Sequence, residues 1–343
     1  MCSNQIAITR RQLLLAGVAA ALLGARSRAE PTFWIMPPPW PGNGRCLWEL
    51  VTREREWEQA RKLINGIGHW PWILNQYYSD EQLREMFARL RSWEIGWGLE
   101  LPVYKGAGWG YDAKPLEAAG AFEQYSKFAR RFSTAGMPTP KWFAFDEPIY
   151  AARHVAPKHD DSAARLRHGV DETVKFIQLM REAYPRAELG DIEPYPALTV
   201  DELTDSLTSI QSRCRDAKLS GLDFFRLDVD WSLFATGKGT WDDVVRIENF
   251  CRNHALRFSM IYWAANEPSL SPEQKGDPLN WRNGVLRQAA DYGAAGGRRS
   301  EIVLESWLHV PPHAVPESDA STFTASVLAL GESLHLSGHS AGR

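Results

Sequence analysis

The sequence predicts an α/β protein, a single-domain (β/α)8 barrel, and three observations support this prediction. After residue 31, short apolar runs alternate with longer amphipathic segments, a pattern typical of parallel βα units. Eight such units fit in the chain of 343 residues, which is the number that closes a barrel. The turn after the first predicted strand is proline-rich, at Pro37-Pro38-Pro39. The alternative fold, an open doubly wound sheet, usually has a glycine-rich turn at this place, so the barrel is favoured.

The predicted units follow one another without a break in composition. The predicted strands cover residues 33–36, 70–74, 96–104, 142–148, 187–192, 222–229, 257–264 and 301–308. The predicted helices cover residues 50–64, 80–93, 115–133, 170–184, 200–215, 241–254, 281–292 and 321–334. A long polar loop, 149–168, is predicted to follow the fourth strand.

Residues 1–29 predict a twin-arginine export signal instead of a part of the barrel. Arg10 and Arg11 precede an apolar run at 13–24, and the small residues around Ala29 suit a signal peptidase. The apolar run is too short to cross a bilayer as a helix. We therefore expect a catalytic barrel over 30–336, a flexible tail over 337–343, and a periplasmic or extracellular location.

Charge and cysteine content exclude several partners. The formal net charge of −3 becomes −7 without the signal, because residues 1–29 contain four arginines and no acidic residue. An acidic protein is poorly suited to nucleic acid, and no later segment is long and apolar enough for a membrane helix. The three cysteines that follow the signal, Cys46, Cys214 and Cys251, are too far apart in the sequence to form a C-x-x-C motif. This spacing argues against a structural zinc site. We expect buried thiols, with pairing of Cys214 and Cys251 as the alternative.

Acidic residues recur at the ends of six consecutive predicted strands. In a barrel, the carboxyl ends of the strands form the active site. A single acid there could be a helix N-terminal charge or half of a salt bridge, but the strand ends contain few basic residues, mainly Lys105 and Arg226. The acids at these ends are Glu100, Asp146, Glu147, Glu193, Asp228, Asp230, Glu267 and Glu305.

Tryptophan and tyrosine residues accompany these acids, and this combination favours a carbohydrate substrate. Sugars offer hydroxyl groups to carboxylates and apolar C–H faces to aromatic rings. Glycoside hydrolysis requires two carboxyl groups, one protonated and one ionised, and crowding with burial raises the pKa of a carboxyl. The predicted substrate-binding residues are Glu100, Asp146, Tyr195, Asp228, Asp230, Trp231, Trp263 and Trp307.

Two short motifs resemble those of the TIM-barrel glycoside hydrolases, in which an acid/base glutamate ends the fourth strand and a nucleophile glutamate ends the seventh. Asp146-Glu147-Pro148 and Asn266-Glu267-Pro268 stand at these places. The resemblance implies that Glu147 is the acid/base, that Glu267 is the nucleophile and that no organic cofactor or metal is needed. Asp146 replaces the asparagine of that family. Glu193 and Glu305 remain rival candidates for the second carboxylate.

The two adjacent acids of the fourth strand are not expected to be equivalent. Side chains alternate along a strand, so Asp146 and Glu147 should point in different directions. Pro148 should hold Glu147 in an extended conformation. We therefore assign the catalytic proton to Glu147.

Two other functions remain open at this stage. A metal-dependent sugar-processing barrel would use Glu, Asp and His at strand ends, and Glu100, Glu193, Asp228 and Glu305 could form such a site, although histidine is scarce there. A barrel that binds glycan without cleaving it would need only the aromatic residues and the hydroxyl-binding acids.

Overall fold

The computed structural model describes residues 31–39, 44–105, 116–155 and 161–336. Within them, eight parallel strands form a closed barrel in the order β1 to β8, so the predicted (β/α)8 fold is confirmed. The predicted export signal at 1–29 and the predicted tail at 337–343 lie outside the described residues.

The strands and helices alternate around the barrel. The strands are β1 Thr32–Met36, β2 Gly66–His69, β3 Gly96–Pro102, β4 Trp142–Asp146, β5 Glu188–Tyr195, β6 Phe224–Val229, β7 Arg257–Tyr262 and β8 Glu301–Glu305. The described helices are α1 Arg45–Thr52, α2 Glu58–Leu63, α3 Pro71–Tyr77, α4 Asp80–Ser92, α5 Ala118–Thr134, α6 Pro148–Val155, α7 Ser162–Ala183, α8 Val200–Asp216, α9 Trp231–Leu233, α10 Trp241–Asn253, α11 Pro272–Gly276, α12 Pro278–Ala294 and α13 Phe323–Ser333.

The second strand lies earlier than predicted. Residues 70–74 were expected to form it, but β2 is Gly66–His69 and α3 begins at Pro71. Glycine has a low strand propensity, so this segment does not resemble a strand in the sequence. Packing requires the glycines, because a Cβ atom at Gly66 would lie 2.2 Å from the ring of Trp34.

The predicted loop 149–168 is largely helical. It contains most of α6 and the first turns of α7. Pro148 suits the first turn of a helix, where a missing N–H costs nothing. The first free N–H groups of α6, those of Ile149 and Tyr150, donate to the carboxylate of Glu193 on β5, a stabilising contact from a distant part of the sequence.

Aromatic rings and one buried ion pair fill the lower half of the barrel. The rings of Trp34 and Trp142 meet edge to face with centroids 5.2 Å apart. The guanidinium carbon of Arg226 lies 3.9 Å from the centroid of the Trp142 ring. Arg226 is fully buried, and its Nη2 lies 3.2 Å from Oε1 of Glu301. This layer separates the amino ends of the strands from the pocket at their carboxyl ends.

Alanine at Gly98 is expected to destabilise the protein by about 3 kcal/mol, the cost of overpacking a filled core. A Cβ atom there would lie 2.1 Å from the ring of Trp142, which is itself buried. The measurement is the free energy of unfolding in urea. Gly276→Ala is the matched control, because its Cβ atom would meet no atom within 4 Å. Equal stability of the two variants would contradict the packing described above.

Candidate active site

The alternation of side chains along the strands directs four acids into the barrel. Asp146 lies on the same face of its strand as Trp142, Asp228 on that of Phe224, and Glu305 on that of Glu301. With Glu100 of β3, these acids line a pocket of about 580 Å³ at the carboxyl ends of the strands. The pocket is lined by Pro39, Trp70, Trp72, Gln76, Tyr77, Glu100, Lys105, Asp146, Glu147, Ile192, Asp228, Ile261, Glu305 and Trp307.

Lys105 is the basic residue of the described pocket lining. Its Nζ lies 2.7 Å from Oδ1 of Asp146 and 2.8 Å from Oε2 of Glu147, and its side chain is 9% exposed. Sequence reasoning noted Lys105 only as a potential salt-bridge partner. The available signal was its position three residues after β3, beside a predicted ring of acids.

Glu147 has an unusual backbone conformation. Its φ of 50° lies in the left-handed region, which non-glycine residues rarely adopt and which recurs at functional sites. This turn joins β4 directly to α6, and the N–H of Glu147 donates to the carbonyl oxygen of Ile192 at 2.9 Å. The expected extended conformation is therefore wrong. So is the expected divergence of Asp146 and Glu147, because both carboxylates contact Lys105.

Two of the pocket acids are oriented by tryptophan. The indole N–H of Trp70 donates to Oε1 of Glu100 at 2.8 Å, and that of Trp263 donates to Oδ1 of Asp228 at 2.7 Å. Burial raises the pKa of both carboxyls well above their ordinary values, and neighbouring acids add to the effect. Each of these acids thus has a fixed orientation and one oxygen engaged.

The pocket contains carboxyl groups with different proton affinities. Burial raises the pKa of Glu305 to about 8, with Arg226 and Lys105 opposing the rise and Asp146 and Glu147 adding to it. Burial raises the pKa of Asp146 only to about 6, because Lys105 opposes it more directly. Protonated and ionised carboxyls therefore occur together near neutral pH, which is the condition that glycoside hydrolysis requires.

Aromatic rings form part of the pocket wall. The rings of Trp263 and Trp307 lie with centroids 4.0 Å apart, and those of Trp72 and Tyr77 lie 6.3 Å apart. Trp307, one of the predicted binding residues, lines the pocket. Trp263, also predicted, lies behind the lining and contacts two of its members, Asp228 and Trp307. Trp70, Gln76 and Tyr77 were not predicted; they lie on or next to α3, whose first residues were predicted to belong to a strand at 70–74.

Glu267 does not line the pocket. It lies five residues beyond the end of β7, and its Oε1 is 3.3 Å from Nη2 of Arg287 on α12. The resemblance to TIM-barrel glycosidases implied a nucleophile at this position, and the structure brings Glu267 into contact with a surface arginine instead.

Glu193 also lies outside the pocket lining. The alternation that turns Ile192 inward turns Glu193 outward, toward the helices. Its two oxygens accept the N–H groups of Ile149 at 2.6 Å and Tyr150 at 3.0 Å. Of the three candidates for the second carboxylate, Glu305 is the one that lines the pocket.

Three predicted substrate-binding residues are engaged elsewhere. The hydroxyl of Tyr195 donates to Oδ2 of Asp243 at 2.8 Å. Oδ1 of Asp230 accepts the N–H of Ser232 at 2.9 Å and so caps α9. Trp231 packs against other aromatic rings and is 5% exposed. None of these three belongs to the pocket lining.

No group of three or more His, Cys, Asp or Glu side chains is arranged to hold a metal ion in the described ranges. The position between Asp146 and Glu147 is taken by the ammonium of Lys105. His69, at the end of β2, is fully buried, and burial lowers its pKa to about 3.

The remaining predictions concern membranes and thiols. In the part of the chain that the structure describes, no helix is long and apolar enough to cross a bilayer. Cys46, Cys214 and Cys251 are buried free thiols, and burial is the main reason that the pKa of Cys214 rises to about 11.

Comparisons with known proteins support the fold. No protein-family model and no curated protein matches the chain. Xylanase 10C from Cellvibrio japonicus, solved with xylopentaose, aligns with a TM-score of 0.54 and 8% identity over 90% of this chain and 68% of that one. Endo-1,4-beta-xylanase XylE from Penicillium canescens aligns with a TM-score of 0.50 and 12% identity over 90% and 96% of the two chains. The protein therefore has the (β/α)8 fold found in these TIM-barrel glycoside hydrolases.

Proposed function

We propose that this protein is an exported glycoside hydrolase that cleaves O-glycosidic bonds of a polysaccharide or oligosaccharide. The observation that carries the proposal is the pocket at the carboxyl ends of the strands, which combines five carboxyl groups with the rings of Trp70, Trp72, Tyr77 and Trp307. Export is supported by the twin-arginine pattern of residues 10–11.

The catalytic pair in this proposal is Glu147 with Glu305. Both side chains line the pocket, and they belong to opposite sides of the barrel, the ends of β4 and β8. Glycosidases need two carboxyl groups that flank the bond to be cleaved. Glu267, which the sequence motif favoured, and Glu193 are both engaged outside the pocket lining, so Glu305 replaces them as the second carboxylate.

The other pocket residues have matching tasks. One member of the pair protonates the glycosidic oxygen while the other, ionised, attacks the anomeric carbon or activates water. Glu100 and Asp228, each fixed by an indole N–H, accept hydrogen bonds from sugar hydroxyls. Trp72 and Trp307 offer ring faces to the sugar.

Hydrolysis should be detectable with the protein from residue 30 onward on a panel of plant polysaccharides, measured as the release of reducing ends. Xylan and xylo-oligosaccharides come first, because the xylanases above share the fold. Glu147→Gln and Glu305→Gln should each lower the rate on these substrates at least about 100-fold, the usual loss with a catalytic acid or base. Glu267→Gln is the matched control and should keep the wild-type rate.

Other outcomes would support the competing functions. Loss of hydrolysis with a chelator and its return with a divalent cation would indicate the metal-dependent barrel. Glycan binding without hydrolysis over the whole panel would indicate the non-catalytic barrel. Inactivity of Glu267→Gln with full activity of Glu305→Gln would contradict the pair named here.

A further inference from the structure

We propose that Glu305 is the proton donor of the reaction and that Glu147, held by Lys105, is the ionised carboxylate. This inference rests on the proposed function and assigns its two roles. It reverses the role of Glu147 that the resemblance to TIM-barrel glycosidases implies.

Lys105 forms a buried contact with the two acids at the end of the fourth strand. Its Nζ lies within 2.8 Å of oxygens from both Asp146 and Glu147, and all three side chains are at most 11% exposed. A buried ammonium is stable only with counter-charges beside it. Protonation of Glu147 would remove one of these charges and weaken the ion pair. The contact therefore gives the Glu147 carboxylate a fixed counter-charge, which suits a nucleophile or base and not an acid.

Glu305 has a different environment from the other pocket acids. Glu100 and Asp228 each accept an indole N–H, and Asp146 contacts Lys105, whereas Glu305 has neither a hydrogen-bond donor nor an ion-pair partner among the described residues. Its Oε2 is buried without a partner, and the whole residue is 2% exposed. An unpaired carboxylate is costly to bury, so such a group retains its proton.

The charged groups around Glu305 do not reverse this preference. Arg226 and Lys105 favour the ionised form, but Arg226 already forms an ion pair with Glu301, and Lys105 already pairs with Asp146 and Glu147. Asp146 and Glu147 oppose ionisation. Burial is the largest influence and raises the pKa of Glu305 to about 8.

The chemical step follows from these two states. The proton of the Glu305 carboxyl moves to the glycosidic oxygen, and the bond from that oxygen to the anomeric carbon breaks, with its electron pair remaining on the leaving oxygen. A Glu147 oxygen bonds to the anomeric carbon and forms a glycosyl ester, which water hydrolyses while ionised Glu305 takes the proton from that water. Alternatively, Glu147 takes a proton from a water molecule that attacks the anomeric carbon directly.

Leaving-group dependence distinguishes the two roles. Dinitrophenyl glycosides need no proton on the departing oxygen, so they bypass the catalytic acid. We compare kcat/KM, which covers the steps up to departure of the leaving group and not the later hydrolysis of a glycosyl ester. In kcat/KM, Glu305→Gln should lose less than about 10-fold on the dinitrophenyl glycoside but at least about 100-fold on the unactivated oligosaccharide. Glu147→Gln should lose at least about 100-fold on both substrates. Thermal melting of both glutamine variants checks that they remain folded.

A rescue experiment tests the part played by Lys105 as a positioning residue. Lys105→Met should lower kcat/KM at least about 10-fold on the dinitrophenyl glycoside and on the oligosaccharide alike, because the Glu147 carboxylate loses the ammonium that lies 2.8 Å from it. Lys105→Arg should restore most of the rate, because arginine keeps the positive charge. An equal loss in both variants, with unchanged melting temperatures, would overturn the assignment of Lys105.

The reverse pattern would overturn the inference while leaving the proposed function intact. In that case Glu147→Gln would retain activity on the dinitrophenyl glycoside and Glu305→Gln would not. A wild-type protein inactive on every glycoside, activated or not, would overturn the proposed function itself, and the assigned roles with it.

Discussion

Replacement of Glu301 by glutamine is expected to lower the free energy of unfolding by about 3–5 kcal/mol, the typical cost of removing one partner of a buried ion pair. The guanidinium of Arg226 is fully buried, and Glu301 is the carboxylate that contacts it. Glu301 also accepts hydrogen bonds from Arg257 at 2.9 Å and Ser259 at 3.1 Å. Glutamine would leave the buried positive charge of Arg226 without its ion-pair partner. Urea denaturation at neutral pH measures the effect.

A neighbouring ion pair provides the control. Glu188 pairs with Arg257 at 2.7 Å, but its side chain is 45% exposed, so Glu188→Gln should cost less than about 1 kcal/mol. Adding Arg226→Met to Glu301→Gln should recover part of the stability, because no unpaired charge would then remain buried. Similar losses for Glu301→Gln and Glu188→Gln would contradict this account of the lower half of the barrel.

Glu305→Gln is expected to make the protein more stable than the wild type above pH 8 while it removes activity. The pKa of Glu305 rises on folding from 4.5 to about 8. The folded state therefore binds this proton more tightly than the unfolded state. The carboxyl costs little stability below pH 4.5, an increasing amount between pH 4.5 and 8, and a constant amount above that. The variant should gain on the order of 3 kcal/mol at pH 9.

Melting temperatures of the two proteins, compared at pH 5 and pH 9, test this expectation. The difference between them should be small at pH 5 and large at pH 9. Glu182→Gln, on an exposed position of α7, controls for the loss of one negative charge. A difference that is equal at both pH values would show that Glu305 does not hold a proton in the folded state.

The arrangement of strands and helices could be read from the sequence in most places, and the failures have local causes. β4, β6, β7 and β8 are mainly apolar runs with strong strand formers, as in Phe143 or Phe225. β2 has two glycines at its inward positions, which only the bulk of Trp34 and Trp142 explains. α6 looked like a loop because its start is stabilised by Glu193, 45 residues after Pro148.

The candidate site was partly predictable. Acids at consecutive strand ends indicated a carboxylate pocket, and Glu100, Asp146, Glu147, Asp228 and Glu305 all line it. Strand alternation, applied to every strand, would have excluded Glu193. The position of Glu267 outside the pocket lining could not be predicted from its motif, because it depends on where β7 ends.

The sequence by itself determined the barrel, through the alternation of strands and helices, and the acidic character of its active end. The tertiary structure decided which acids meet and which of them contact a basic group. Lys105, which follows β3, contacts Asp146 and Glu147 at the end of β4. Glu305 also stands at a strand end, but its Oε2 has no hydrogen-bond partner in the described part of the chain. A carboxyl group's protonation depends on burial and on neighbours within a few ångströms, and these are set only when the barrel closes.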